Sequence, residues 1–471
     1  MRVILILFLT IPPLIYADSS DTKRILKSNM TLKYNRVPKD VDNLREFLSE
    51  GIVYSRLRFN YFNFDTKTKG VNHYALGVGG SLIYKSAYYN GLSFTSALYT
   101  TQNPWHDSIK ASQYRSGKDT LNRYNLATKG DYGNTVFAQN YLEYKLGKSR
   151  IKLGRFIMET TLAKSNDTKM VPNTFQGLYT EFYPFSQTKM KMAYITKQKL
   201  RDHDSFHHVL AYDDSTEPFA SYRENDDSGM HRGLTISKLK EKDIEDRLIV
   251  VNLKNRTIKN TTLTADFISV PNLLSTAIIE SSYQIKRDNI TIKPSIRYLK
   301  QFDNGAGEIG GANLRKNTIG YKNPNTLSSS MIAGKIDIIK GAGKLRLGYS
   351  KIADQGDLVT PWRGFPTSGY TRAMGQTNWY ANTQTFMVRA DYNIIDGNKI
   401  MMRYAQEDFD DKKSGVSADV NVLTFDFIKK FHKYPNLTTK LRTAFVNQDH
   451  KITDKKDPSY NEVRLELNYL F

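Results

Sequence analysis

The residues best equipped for chemistry in this chain are arginines at alternate positions. Arg56 and Arg58 lie in "SRLRFNYF", Arg346 in "GKLRLGYS", Arg389 in "TFMVRADYN" and Arg403 in "NKIMMRYAQED", while Arg297, Arg442 and Arg464 lie in segments of the same texture. Each falls on the more polar side of a stretch whose other side is apolar. A guanidinium grips a carboxylate through two parallel N–H donors, so a strip of them along a passage would lower the energy of an anion over its whole path. Such a strip binds and conducts but carries out no reaction. Asp391 and Glu466 stand close to these arginines and would neutralise part of the charge.

Other chemistries find little support. Gly305, Gly307 and Gly310 in "GAGEIGG" have G-x-G-x-x-G spacing, but a dinucleotide site needs that turn to open a helix, and "GANLRKNTIGYKNPN" lacks helical periodicity. The segment reads as a flexible loop. His203, His207 and His208 in "RDHDSFHHVL" stand near carboxylates, yet without a matched ligand set a charged loop of this kind reads as solvated rather than metal-bound. No G-x-S-x-G elbow is present, and no Ser, His and acid are related by spacing. With no cysteine there is no disulfide, thiolate metal site or cysteine nucleophile. The expectation is a protein that is not an enzyme, needs no cofactor or metal, and has no nucleic-acid partner.

The elements that would carry the arginines follow from periodicity. The chain has 471 residues, 68 Lys+Arg against 47 Asp+Glu, a formal net charge of +21 and a mean hydropathy of −0.52. Beyond the first 17 residues no apolar run approaches the roughly 18 to 20 residues of a spanning helix, so a helical membrane protein is excluded. A transmembrane β-barrel escapes that test, because its strands turn an apolar residue outward only at every second position. From Gly51 to Phe471 the pattern has period two. Leu57, Phe59 and Tyr61 oppose Arg56, Arg58 and Asn60, and Val463, Leu465, Leu467, Tyr469 and Phe471 alternate with Arg464, Glu466, Asn468 and Leu470. Asp396-Gly397-Asn398 marks a tight turn between two such strands. A soluble β-sandwich would seldom fill its polar face with long cations; a barrel in lipid has an apolar outer wall and a lumen free to be charged. The 30 Tyr and 23 Phe suit aromatic girdles.

The N-terminal segment differs. An apolar run from Val3 to Leu14 followed by Ile15-Tyr16-Ala17 and a polar stretch reads as an export signal over residues 1–17. Residues 18–50 form a polar lead-in, with Val41, Leu44, Phe47 and Leu48 on one face of a short helix stopped by Gly51. Residues 51–471 form one barrel domain.

Two longer motifs carry a resemblance. "GRFIMETTLAKSNDTKMVPNTFQGLY", Gly154 to Tyr179, resembles the third-loop region of the OprD-type outer-membrane porins of Gram-negative bacteria. "TPWRGFPTSGYTRAMGQTNWYANTQTFMVRADYN", Thr360 to Asn393, resembles their seventh-loop region and the strand after it, and "FLSEGIVYSRLRFNYF" and the terminal "LNYLF" are also similar to that family. The resemblance implies an 18-stranded antiparallel barrel, monomeric or loosely trimeric, whose third and seventh loops fold inward to narrow the pore. It implies passive, substrate-preferring uptake of small carboxylate-bearing solutes across an outer membrane, among lipid and lipopolysaccharide. By motif position Asn166, Asp167 and Lys169 would lie on one side of the constriction and Ser368, Tyr370 and Arg372 near the seventh loop. Phe471 would belong to the signal read by the barrel assembly machinery. The chain departs from the family in carrying Lys169 where arginine is common, a point charge in place of a planar fork. Two rivals stay open: a barrel with an enzymatic role, and a structural or adhesive barrel with a plugged lumen.

Overall fold

A computed structural model describes residues 25–26, 32–33 and 38–471, except 69, 116–119, 168, 218–229, 361–363, 375–376 and 452–454. The export signal expected at residues 1–17 and most of the lead-in lie outside the described residues. The rest is a closed antiparallel barrel of 18 strands. In chain order these are β1 (Ile52–Thr66), β2 (His73–Lys85), β3 (Leu92–His106), β4 (Asn134–Leu146), β5 (Ser149–Phe156), β6 (Thr174–Phe182), β7 (Thr188–Lys199), β8 (Leu248–Asn255) and β9 (Thr261–Val270). They continue as β10 (Leu274–Tyr283), β11 (Ile290–Asp303), β12 (Ser329–Lys340), β13 (Gly343–Ile352), β14 (Gln384–Asn393), β15 (Lys399–Asp408), β16 (Val420–Lys430), β17 (Leu437–Gln448) and β18 (Tyr460–Leu470). Each strand pairs with the next, and β18 returns to β1, with Tyr460 opposite Thr66 and Leu470 opposite Arg56. Closure leaves no unpaired strand edge, the condition for a sheet to stand in a medium without hydrogen bonds.

Alternation decides which way each side chain points. On β1, Tyr54, Arg56, Arg58, Asn60 and Phe62 are buried inside, whereas Val53 and Phe59 are exposed on the outer wall. On β14 and β15, Met387, Arg389, Asp391 and Arg403 face inward while Phe386, Tyr392, Met402 and Tyr404 are exposed outside. The connections at one end are two to six residues long; those at the other run from three residues to the 48 of residues 200–247. Counted at that end, residues 157–173 are the third loop and 353–383 the seventh, in the order the two motifs imply.

The long loops interlock over the mouth. Arg123 in the second loop meets Asp202 in the fourth at 3.4 Å, and Lys413 in the eighth bonds Asp354 in the seventh at 2.6 Å. Asp357 of the seventh loop is fully buried and accepts from Tyr321 Oη (2.6 Å), Asn313 Nδ2 (3.1 Å) and Leu314 N (2.9 Å) in the sixth, and from Ala381 N (2.8 Å). The largest buried apolar cluster extends from the inner wall into this cap, through Leu234, Leu327, Trp379 and Phe409.

Three local expectations meet the structure unevenly. The lead-in helix forms at Leu44–Ser49, with Asn43 Oδ1 accepting from Glu46 N at 2.9 Å. Its apolar face stays largely open, since Leu44 and Leu48 are 66% and 56% exposed and only Phe47 finds a ring, that of Phe94. The turn before β15 forms with Gly397 at φ 74°. The "GAGEIGG" segment, read as a flexible loop, is instead a short helix, Ala306–Gly310, because Asp303 Oδ1 accepts from both Gly305 N (3.1 Å) and Gly307 N (3.0 Å).

His231 pins the fourth loop to the sixth. Its Nε2–H donates to Gly311 O (2.9 Å) and its Nδ1 accepts from Gly233 N (3.0 Å), so the ring is neutral. Burial, aided by Lys316 and Lys238, pushes its pKa down to about 4. A detached loop would protonate near 6.5, so the docked state is fully favoured above pH 6.5 and loses ground as pH falls toward 4. Amide exchange at Arg232 and Gly233, corrected for intrinsic rates, is expected to accelerate over that window in the native protein and not in His231→Asn. Equal protection at pH 7 and pH 4 in the native protein would refute the pin.

Candidate functional site

The third loop crosses to the seam where the barrel closes. Asp167 is gripped by two guanidiniums of β1, Arg56 Nη2 at 2.5 Å and Arg58 Nη1 at 2.6 Å. Arg58 also donates through Nε to Asn468 Oδ1 on β18 (2.9 Å) and through Nη2 to Asp167 O (3.3 Å). Two residues on, Lys169 Nζ bonds Glu466 Oε1 of β18 at 3.0 Å. Asn166, at φ 47°, turns the chain just before these anchors and donates its N–H to Glu159 Oε1 (2.9 Å). On the opposite wall Thr161 N donates to Asp266 Oδ1 of β9 (3.1 Å), so the loop spans the lumen.

The seventh loop is held by arginines that donate to its backbone. Arg297 on β11 bonds Pro366 O (2.7 Å) and Ser368 O (3.1 Å), Arg346 on β13 bonds Gly369 O (2.7 Å), and Arg403 on β15 bonds Arg372 O (3.0 Å). Tyr370 lies under Arg297 and Lys335, each 4.6 Å from its ring centre, and Arg372 stacks 3.5 Å over Phe365. The two loops meet where Gly364 passes Leu162; a Cβ on Gly364 would run into the Leu162 backbone.

The remaining inner wall carries more cations than acids. Glu143 on β4 is shared by Lys85 (3.0 Å), Arg150 (3.1 Å) and Lys152 (3.5 Å). Asp391 is shared by Arg389 (2.7 Å), Lys399 (2.9 Å) and Lys344 (3.2 Å). Asp426 on β16 takes Arg442 (2.6 Å) and Lys440 (3.5 Å), while Arg464 pairs with Glu462 on its own strand.

Solved structures with this architecture are known. OpdK of Pseudomonas aeruginosa, crystallised with vanillate, superimposes at a TM-score of 0.68 over 90% of this chain and 99% of its own, with 14% identity. OccAB3 of Acinetobacter baumannii gives 0.67 over 90% and 100% at 16% identity, and OccK8 (OprE) of P. aeruginosa 0.69 over 90% and 99% at 12%. The fold is that of the OprD-type porins. No family model matches the sequence, and no curated protein aligns with it.

Within this OprD-type barrel all eight singled-out arginines face inward, and five of them hold the two constriction loops. Asn166, Asp167 and Lys169 come together against the seam, and Ser368, Tyr370 and Arg372 gather against β11 and β15. The two loops meet at Gly364 and Leu162. Sequence reasoning passed over the Glu143 group. Its signal is of the same kind, since Arg150 and Lys152 alternate with Ile151 and Leu153. In "RDHDSFHHVL" His203 lies 3.9 Å from Asp202 and His208 4.0 Å from Asp246, whereas among the described residues the group with metal-ligand spacing is Asp411, Asp419 and His450, on the eighth and ninth loops.

Asp167→Asn removes the carboxylate on which Arg56 and Arg58 converge. Taking one partner from a buried ion pair costs about 3–5 kcal/mol. The third loop is expected to leave the wall and single-channel conductance to rise in a planar bilayer. Unchanged conductance from a correctly folded barrel would mean that Lys169 and Thr161 suffice to hold it.

Proposed function

We propose that the protein is an outer-membrane porin of the OprD type, exported by the signal at residues 1–17, through which small anionic solutes diffuse passively. Its long-loop end faces outward, as is general for such barrels. The observation that supports the anion preference is a set of inner-wall sites where cations outnumber acids: ten cations share the four carboxylates Asp167, Glu143, Asp391 and Asp426, while Arg297, Arg346, Arg464 and Lys169 pair singly with Glu280, Asp337, Glu462 and Glu466. A lumen with fewer fixed anions than cations attracts solution anions, and low-dielectric walls concentrate that field.

Arg389, Lys344 and Lys399 keep 20–33% of their side chains open, so solutes reach them. A carboxylate entering there exchanges one partner for another without stripping a cation bare. Weak multi-site binding of this kind lets a solute leave as readily as it enters. Vanillate in the OpdK structure is a carboxylate, which agrees with the class of solute suggested here. No catalytic step is part of this reading. The contact of Gly364 with Leu162 favours a second reading, a barrel with its lumen shut.

The deciding experiment is the reversal potential of the refolded protein in a planar bilayer under a KCl gradient. Anion-selective current, partly blocked by added benzoate, is expected. Replacing both Arg389 and Lys399 by Gln leaves the loop fastenings intact and is expected to move the reversal potential toward zero. Cation-selective current would overturn the anion preference, and a folded barrel without current would favour the shut lumen.

A further inference from the structure

The outer wall carries one feature at odds with its surroundings. Where β4 to β7 face outward, a groove of about 600 Å³ is lined by Leu153, Leu178 and Tyr194 and by the polar Asn140, Arg155, Gln176 and Thr196. Gly154 (φ 126°) and Gly177 (φ 151°) stand opposite each other along its lining, and a Cβ on either would collide with Asn140 O or Tyr194 O. Neighbouring outward positions are apolar, as at Leu142, Ile151 and Met192. Arg155 Nε donates to Gln176 Oε1 (3.3 Å) and its guanidinium stacks 4.3 Å from the Phe206 ring, with no carboxylate partner among the described residues. A cation on a lipid-facing wall is costly at the bilayer midplane and cheap at the interface, and the exposed Lys197 of β7 lies in the same row, opposite Gln176. Arg155 is the next-to-last residue of β5, at its long-loop end, beside Asn140 of β4.

We propose that this groove binds a phosphorylated glycolipid of the surrounding leaflet, a lipid A phosphate accepting from Arg155 with an acyl chain over Leu153, Leu178 and Tyr194. The inference rests on the outer-membrane reading above, which makes the lipid at this end anionic and phosphorylated. A guanidinium offers two parallel donors to a phosphate, and Asn140, Gln176 and Thr196 provide neutral partners for sugar hydroxyls. The apolar floor accounts for the chain, and the charge for the head.

The test is native mass spectrometry of the protein extracted from outer membranes in mild detergent, with the native chain, Arg155→Ala and Arg155→Lys compared. Retained lipid A is expected on the native chain, about tenfold less on Arg155→Ala, the worth of one charge-assisted hydrogen bond, and an intermediate amount on Arg155→Lys. Equal retention by all three, retention of glycerophospholipid in place of lipid A, or a second copy of the chain seated over Arg155 in cross-linking would each overturn the proposal. Channel current is measured on the same samples. A conducting barrel with unchanged lipid retention defeats the groove alone, whereas loss of current in every sample defeats the porin reading.

Discussion

Pairing of the last strand with the first is the interaction on which the rest of the molecule depends. From Tyr460 opposite Thr66 to Leu470 opposite Arg56, the seam makes an open sheet into a cylinder and divides every strand into an inner and an outer face. The same two strands supply the anchors of the third loop. Arg56 and Arg58 come from β1, Glu466 and Asn468 from β18, and Arg58 touches both Asp167 and Asn468. A loop fastened across the seam helps hold the seam shut, and a closed seam sets the distance between the loop's two anchors.

Buried ions impose the second constraint. Arg56 and Arg58 keep 2% and 3% of their side chains open, so their charge is taken up by Asp167 and is not on offer to a solute. Pairs this well covered recover little net stability against their desolvation, and their value lies in fixing one geometry. Cations toward the short-turn end differ, since Arg150 and Lys399 are about a third open. The inner wall thus divides its charge between buried guanidiniums that hold loops and open cations that face the lumen.

The mouth follows a related logic with neutral partners. Asp357 collects two side-chain donors and two backbone N–H groups, and Asp303 Oδ2 accepts from Leu327 N (2.8 Å) while its other oxygen caps the short helix. Single carboxylates thereby satisfy several otherwise orphaned backbone donors, which is how loops without regular structure stay ordered. With the His231 pin and the Lys413–Asp354 pair, these joints link the fourth, sixth, seventh and eighth loops in series at the mouth.

Period-two alternation is a property of neighbouring residues, so the barrel, its inner and outer faces, and the inward direction of all eight arginines could be read along the chain. The third and seventh loops were legible too, because their motifs are long and their order along the chain matches the order of the long connections. What each arginine does was not legible. Asp167 and Arg58 are 109 positions apart, and Lys169 and Glu466 are 297 apart. Which cation meets which acid depends on strand register, on the path of a loop through the lumen and on closure of the seam. The amino-acid sequence by itself determined the faces of the wall, since the side a residue takes needs only its neighbours. Only the tertiary structure decided which charges are spent on loops and which are left open to the pore, since a partner for a buried ion exists only once distant strands stand side by side.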